Sequence, residues 1–273
     1  MGRRTQKNTY SIRINKQGQT MTASNFSLKD YLDRINYKGD VQADLQTLNA
    51  LMSHQLQSVP FENTEVQAGR TPSLVLEDIY SKIVTDKRGG YCYEVNGLFA
   101  MALSAIGFEW YFTGARPMFY PSRRPKTHMI VVVILDGKSY LCDTGFGGYG
   151  LREPLKVVEN ITSEQNGDQF CLELKDGEFV LSSLVNDEWM PQYGFALSPQ
   201  EWIEFSLANY FNATHPDTIF TQKKLAVMQT PKGRKILVDN SLKIIDKGIT
   251  TISEVEYATA AQKHFGLEKG GRL

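Results

Sequence analysis

The chain is short of several residue types, and each shortage excludes something. It has three cysteines in 273 residues, Cys92, Cys142 and Cys171, so no disulfide framework staples it. None of the three belongs to a CxxC pair, and the four histidines, His54, His128, His215 and His264, make no HxxxH pair. A structural zinc site is not expected from these spacings. Net charge is also missing: 30 basic residues balance 30 acidic ones. Without a bulk field, neither nucleic acid nor an anionic membrane is an expected partner. Long apolar runs are absent as well. The longest, Met129 to Leu135, has the length of a strand and falls far short of a membrane span. Unpaired thiols point to the cytosol and leave one free to react.

What is present fits a folded chain of about two domains, at roughly 150 residues each. The apolar set is 41 %. Residues 1–20 carry Arg3, Arg4, Lys7, Arg13 and Lys16 and no acid. No apolar stretch follows them, so they read as a solvated basic extension rather than a secretory signal, with Met21 opening the folded part.

From Ser27 to Ile106 the apolar period is helical. Ser27 and Asp30 resemble a helix cap, and Leu28, Tyr31, Leu32 and Ile35 line one face. Leu45, Leu48, Leu51, Met52 and Leu56 form a second stripe that Pro60 stops. Leu76, Ile79, Tyr80 and Ile83 form a third that Gly89-Gly90 stops, and Val95 to Ile106 form a fourth that ends at Gly107. This predicts a bundle of about four helices over residues 21–107.

After Gly107 the pattern changes to strands: Trp110–Arg116, His128–Leu135, Lys138–Asp143, Phe170–Leu174 and Phe179–Leu184. Asp136-Gly137 and Asp176-Gly177 are hairpin signals among them. An antiparallel barrel over 108–197 is the simplest packing. Ser198-Pro199-Gln200-Glu201 then opens a helix, predicted over 198–213, in which Trp202, Phe205, Leu207 and Tyr210 follow. Residues 214–273 mix short strands with a last helix from about Glu254 to Phe265. Helices, then strands, then a mixed part make an α+β chain.

The chemistry concentrates in Arg88-Gly89-Gly90-Tyr91-Cys92-Tyr93-Glu94-Val95-Asn96-Gly97. Two glycines break one helix and a new stripe begins just after Cys92. That places Cys92 in the first turn of a helix, where unsatisfied N–H groups and the helix dipole favour a thiolate and can hold an oxyanion. Cys142 and Cys171 fall in strand runs and read as small core residues.

A base and its orienting carboxylate follow from turn chemistry. If Asp136-Gly137 is a two-residue loop, Leu135 pairs with Lys138, Ile130 faces Asp143 and His128 faces Gly145. His128 and Asp143 are then diagonal neighbours on one face, ~7–8 Å apart at Cα and within side-chain reach. A four-residue loop keeps this parity, whereas a three-residue bulged loop breaks it. A carboxylate bound to one imidazole nitrogen leaves the other free to take a thiol proton. The order Cys92, His128, Asp143 is a papain-like constellation for acyl chemistry.

These residues carry a resemblance. Arg88 to Gly97 matches the RGGxCxExN signature of the arylamine N-acetyltransferases, and Pro60-Phe61-Glu62-Asn63 matches their PFEN element. Thr127-His128, Asp143-Thr144-Gly145-Phe146-Gly147 and Gln229-Thr230-Pro231-Lys232-Gly233 match further elements, so that the likeness spans roughly residues 21–265. The resemblance implies a helical bundle, a β-barrel and an α/β lid. It implies Cys92 as nucleophile, His128 as base and Asp143 as third triad member. It also implies that Phe146 walls an acceptor pocket with Gly145 and Gly147 leaving it room, that Phe220 lines the acyl cleft and that Thr127 contacts coenzyme A. Arg88 and Glu62 read as a structural pair beneath the site. The implied reaction moves an acetyl group from acetyl-coenzyme A, through an acetyl-cysteine, to a small aromatic amine or hydrazine, with no metal and no bound cofactor. The same triad logic would serve a papain-like amide hydrolase or a carrier-dependent amide synthase. A non-catalytic binder of coenzyme A is the remaining alternative.

Overall fold

The computed structural model describes residues 19–267, so residues 1–18 of the expected extension lie outside the described residues. Gln19 is already bound into the fold, donating its backbone N–H to Trp110 at 3.0 Å and its side-chain amide to Gln200 at 2.8 Å.

Side-chain caps start the first two helices. Ser27 Oγ accepts the Asp30 amide at 3.2 Å and opens α1 (Leu28–Arg34). Asp44 accepts the Thr47 amide at 2.7 Å and opens α2 (Leu45–Ser58). Pro60 lies beyond the end of α2, and the next residues form a short strand, β1 (Phe61–Glu62), then α3 (Thr64–Gln67). The third apolar stripe becomes α4 (Leu76–Tyr80), which runs on as a π-helical turn at Ser81–Thr85. After Gly89-Gly90 comes α5 (Cys92–Ile106), ended by Gly107 at φ 95°. Every residue of α5 from Cys92 to Leu103 is buried. It is the central helix of the molecule rather than an amphipathic surface helix.

The strands from β2 (Glu109–Pro117), β3 (His128–Leu135) and β4 (Lys138–Cys142) through β5 (Leu155–Lys156) and β6 (Ile161–Gln165) to β7 (Asp168–Lys175), β8 (Glu178–Val185) and β9 (Glu188–Phe195) form one antiparallel sheet. Its order, β5-β4-β3-β2-β9-β8-β7-β6, curls into a nearly closed barrel. Two-residue loops with positive φ at both positions close the hairpins at Asp136-Gly137, Asn166-Gly167, Asp176-Gly177 and Asn186-Asp187. Such turns match the right-handed twist of the strands they join. Strand β9 escapes sequence reading because Pro191 interrupts it and its partner β8 shifts register between Leu181 and Ser182.

The helix expected to open at Ser198 does not form there. Gln200 bridges to Phe112 of β2, donating its N–H to the Phe112 carbonyl at 2.9 Å. A second acidic pair three residues apart takes over the start, with Glu204 accepting the Glu201 amide at 2.7 Å. A 3-10 turn, Trp202–Glu204, leads into α6 (Phe205–Thr214).

The last part contains α7 (Ile219–Gln222), β10 (Leu225–Thr230), β11 (Gly233–Val238), β12 (Ser241–Asp246), β13 (Ile249–Glu254) and α8 (Tyr257–Phe265). Its antiparallel sheet, ordered β1-β10-β11-β12-β13, recruits β1 from the helical part through Phe61↔Val227 and Glu62↔Ala226. Among the described residues no helix is long and apolar enough to cross a membrane, and no three His, Cys, Asp or Glu side chains cluster as metal ligands.

Candidate active site

The position of Cys92 follows from two glycines pressed against β1. Gly90 donates to the Pro60 carbonyl at 3.2 Å and accepts from the Glu62 amide at 3.0 Å. A Cβ on Gly89 would lie 2.1 Å from the Pro60 oxygen, so only glycine fits this approach. Two residues later the chain enters α5 with Cys92 as its first residue. Glu94 folds back and accepts the Tyr91 amide at 3.0 Å, while its other oxygen meets Lys82 Nζ at 2.6 Å. Burial raises Glu94 to about 7, with Lys82 pulling the other way. Around this pair, Arg88 lies 3.1 Å from Glu65 and 3.8 Å from Glu62, and Lys82 lies 3.6 Å from Glu65. The Arg88–Glu62 pairing expected from the sequence is thus part of a larger buried ion cluster.

His128 opens β3, and Asp143 follows the last residue of β4. Leu135 pairs with Lys138 and Val131 with Cys142, the register of a two-residue loop. The diagonal contact that this register allows is made: His128 Nε2 lies 2.7 Å from Asp143 Oδ2. Cys92 lies close enough to the same imidazole to act on its protonation, and Asp143 leaves Nδ1 unoccupied by the carboxylate. Burial lowers His128, but the charge and hydrogen bond of Asp143, with a contribution from Cys92, raise it to about 10. These interactions favour the protonated ring.

Asp143 is held from behind by groups to which the sequence analysis assigns no such role. Its Oδ1 accepts from Asn96 Nδ2 at 3.1 Å and from the Gly145 amide at 2.9 Å. Asn96 also donates to the Met129 carbonyl at 2.7 Å and accepts the Thr144 amide at 2.8 Å. Gln55 donates to the Thr144 hydroxyl at 3.0 Å and accepts from Tyr31 at 2.8 Å. Tyr193 sets its ring tilted at 5.2 Å from His128, and burial together with the Asp143 charge favours its neutral phenol. The available signals were weak: Asn96 stood in the quoted motif without a role, and Gln55 was one polar residue beside an apolar stripe.

The remaining candidates sit around this centre. Phe146 is half-buried, with its ring 5.3 Å from His128. Phe220 is half-buried against Tyr91 at 5.6 Å and Phe61 at 6.1 Å. The Thr127 carbonyl accepts from Tyr93 at 2.7 Å. The two glycines beside Phe146 make room for other groups than that ring. A Cβ on Gly145 would meet the Cys92 Cα at 2.7 Å, and one on Gly147, at φ 69°, would meet the Phe61 ring at 2.4 Å. It is Gly148 and Gly150 whose Cβ atoms would face Phe146, at 3.8 and 3.0 Å. A cavity of about 20 Å³, room for one water, lies between Phe61, Asp143, Phe146, Gly148, Leu151 and Gln229. It reaches Asp143 but is not lined by Cys92 or His128, which are 2 % and 5 % exposed.

Comparison with known proteins identifies the family. A family model described as N-acetyltransferase matches residues 44–270. Human arylamine N-acetyltransferase 1 is 34 % identical over 237 residues, covering 79 % of this chain and 82 % of the human one. Mouse arylamine N-acetyltransferase 2 is 31 % identical over the same length and shares. The solved arylamine N-acetyltransferase of Salmonella typhimurium superposes with a TM-score of 0.84 at 26 % identity, covering 88 % of this chain and 90 % of that one. That of Mycobacterium marinum in complex with CoA gives 0.83 at 29 % identity, covering 88 % and 92 %. By matched length, identity and fold, the chain belongs to the arylamine N-acetyltransferase family of acyltransferases.

Proposed function

We propose that this protein transfers an acetyl group from acetyl-coenzyme A to an aromatic amine or hydrazine in two half-reactions through Cys92. The observation that carries the reading is the imidazole of His128, held by Asp143 at 2.7 Å through Nε2, with the buried Cys92 at the start of α5 close enough to act on it. A Mycobacterium marinum relative of the same fold binds CoA, which supports the choice of donor.

In the first half-reaction the Cys92 sulfur, its proton held on His128, attacks the thioester carbonyl. The first-turn N–H groups of α5 receive the oxyanion. The carbon–sulfur bond to coenzyme A breaks and the leaving thiolate takes the imidazolium proton. In the second, the acceptor nitrogen attacks the acetyl-cysteine carbonyl, neutral His128 takes the amine proton, and Cys92 leaves as the thiolate. The acetylated amine departs with the enzyme back in its starting state.

The low exposure of Cys92 and His128 means that a donor reaches the sulfur only by displacing the rings that cover it. Phe146 above His128 and Phe220 beside Tyr91 are the half-buried rings at this mouth. Phe146 is assigned to the acceptor, Phe220 to the acyl cleft and Thr127, next to the base, to coenzyme A.

The test is incubation with acetyl-coenzyme A alone. One acetyl group on the Cys92 peptide, one free coenzyme A per enzyme, and loss of the label when an arylamine is added support the proposal. Cleavage of amide substrates with no adduct on Cys92 would turn the reading toward a hydrolase. Unchanged turnover in Cys92→Ser would leave a binder of coenzyme A.

A further inference from the structure

Helix α6 buries Phe205 and Ala213, but two asparagines share that inner face. Its large apolar residues Leu207 and Tyr210 are 81 % and 63 % exposed, while Asn209 and Asn212 are buried. Asparagine is a poor residue for a helix interior, and a buried amide is costly unless it is bonded. Both amides are bonded, and both point at the residues that bracket Cys92. Asn209 accepts the Tyr91 hydroxyl and donates to the Pro72 carbonyl at 2.9 Å. Asn212 donates to the Thr127 carbonyl at 2.9 Å, and the same nitrogen lies 3.2 Å from the Tyr93 hydroxyl. Tyr93 in turn donates to the Thr127 carbonyl at 2.7 Å. The rings of Tyr91 and Tyr93 meet edge to face at 5.3 Å.

Three segments therefore converge on one oxygen. Thr127 is the last residue before β3, so its carbonyl sits one peptide ahead of the base. Tyr93 brings the helix of the nucleophile to it, and Asn212 brings the helix that leads to the last sheet. The distance between the thiol of Cys92 and the ring of His128 depends on how α5 meets the start of β3, and this shared carbonyl is a direct tie between them.

We infer that Asn212 is a positioning residue: with Tyr93 it pins the Thr127 carbonyl and so sets the separation of Cys92 from His128. The inference rests on the proposed roles of Cys92 and His128 and adds to them a residue on a third segment. The Asn212 amide touches none of the reacting atoms and acts through the backbone before the base, whereas the Tyr93 phenol also borders the Cys92 sulfur. Two donors on one buried oxygen hold it more rigidly than either alone, so each is expected to matter and their effects to overlap.

The experiment is the rate of Cys92 alkylation by iodoacetamide against pH, read as the carboxamidomethylated Cys92 peptide. It is run on full-length wild type, Asn212→Leu, Tyr93→Phe and the double variant, beside thermal melts. The expected result is a loss of roughly five- to tenfold at neutral pH in each single variant, the scale of one buried neutral hydrogen bond. The rising limb of the profile moves to higher pH, and the double variant falls little below the singles. Wild-type profiles in both single variants would overturn the inference, and so would full additivity. If Asn212→Leu does not fold, Asn212→Ala decides, because Tyr93→Phe also removes a hydroxyl beside the sulfur. Alkylation needs no acetyl-coenzyme A. Failure to acetylate with these losses present would sink the transfer reading alone; normal acetylation with unshifted profiles would sink this one alone.

Discussion

Gly145 presses on the backbone of Cys92. A Cβ at this glycine would stand 2.7 Å from the Cys92 Cα and 2.8 Å from a Val95 methyl. The loop after Asp143 thus lies directly against the first turn of α5, and this contact brings the carboxylate behind the imidazole. Its neighbour here is backbone, which cannot swing aside as a side chain can. Gly145→Ala is expected to push the loop off the helix and lower kcat/KM for arylamine acetylation about 100-fold, the scale of an ångström's misplacement. Gly148→Ala is the control. Its Cβ meets nothing closer than the Phe146 ring at 3.8 Å, and the rate should stay within about twofold of wild type.

The His128–Asp143 pair makes stability depend on pH in a defined direction. Folding raises His128 from 6.5 to about 10. A base raised on folding contributes its full stabilisation below its unfolded value and loses it as pH rises through the folded one. The melting temperature should therefore fall between pH 7 and about 10 more steeply in wild type than in Asp143→Asn, where the carboxylate charge is gone. Asp143→Asn should also lose roughly a thousandfold or more in kcat, because the imidazole is no longer held as a base. Equal slopes of melting temperature against pH in the two proteins would contradict the assigned charge on His128.

Much of this geometry is written in local sequence. Leu135 pairs with Lys138 because Asp136-Gly137 suits a tight turn, and that parity alone brings His128 and Asp143 to one face. Cys92 begins a helix because Gly89-Gly90 ends the previous segment. What escaped depends on contacts distant in the chain. Phe61 and Glu62 are only two residues of strand, and their partners Val227 and Ala226 lie more than 160 residues away. Ser198 has the chemistry of a cap, yet Gln200 finds a better partner in Phe112, and the start moves to Glu201. Leu207 and Tyr210 fit an inward apolar stripe, but Asn209 and Asn212 take the inner face because Tyr91, Tyr93 and Thr127 await them there. Periodicity cannot report such a trade, since it weighs side chains only against water.

Phe146 offers a test that reads the two proposed half-reactions separately. It lies over His128 and Tyr193, at 5.3 and 4.9 Å, and lines the small cavity next to Asp143. Phe146→Ala removes the wall assigned to the acceptor and leaves Cys92, His128 and Asp143 in place. The expected outcome is a KM for arylamine raised about tenfold, the scale of one lost aromatic contact, with acetylation of Cys92 by acetyl-coenzyme A slowed much less. Stopped-flow release of coenzyme A and steady-state acceptor kinetics read the two steps separately. An equal loss in both would move Phe146 from acceptor recognition to support of the base.

Lys82 lies beneath the nucleophile's helix and tests how the buried ion cluster supports it. Its ammonium meets Glu94 at 2.6 Å and Glu65 at 3.6 Å, and Glu94 holds the amide of Tyr91, the residue before Cys92. Lys82→Met keeps the volume and removes the charge. It leaves Glu94 buried beside Glu62 and Glu65 with Arg88 as the remaining cation, a change expected to cost about 3 kcal/mol in denaturant unfolding at pH 8. The cost should shrink toward pH 5.5. Burial already raises Glu94 from 4.5 to about 7, and losing Lys82 raises it further, so an acidic solution supplies the proton that neutralises it. Adding Glu94→Gln should restore most of the stability at pH 8, because glutamine at this position can still accept the Tyr91 amide without a buried charge. A loss in Lys82→Met that is the same at both pH values and is not recovered by Glu94→Gln would mean that Lys82 acts through its packing, not through the carboxylate beneath Cys92.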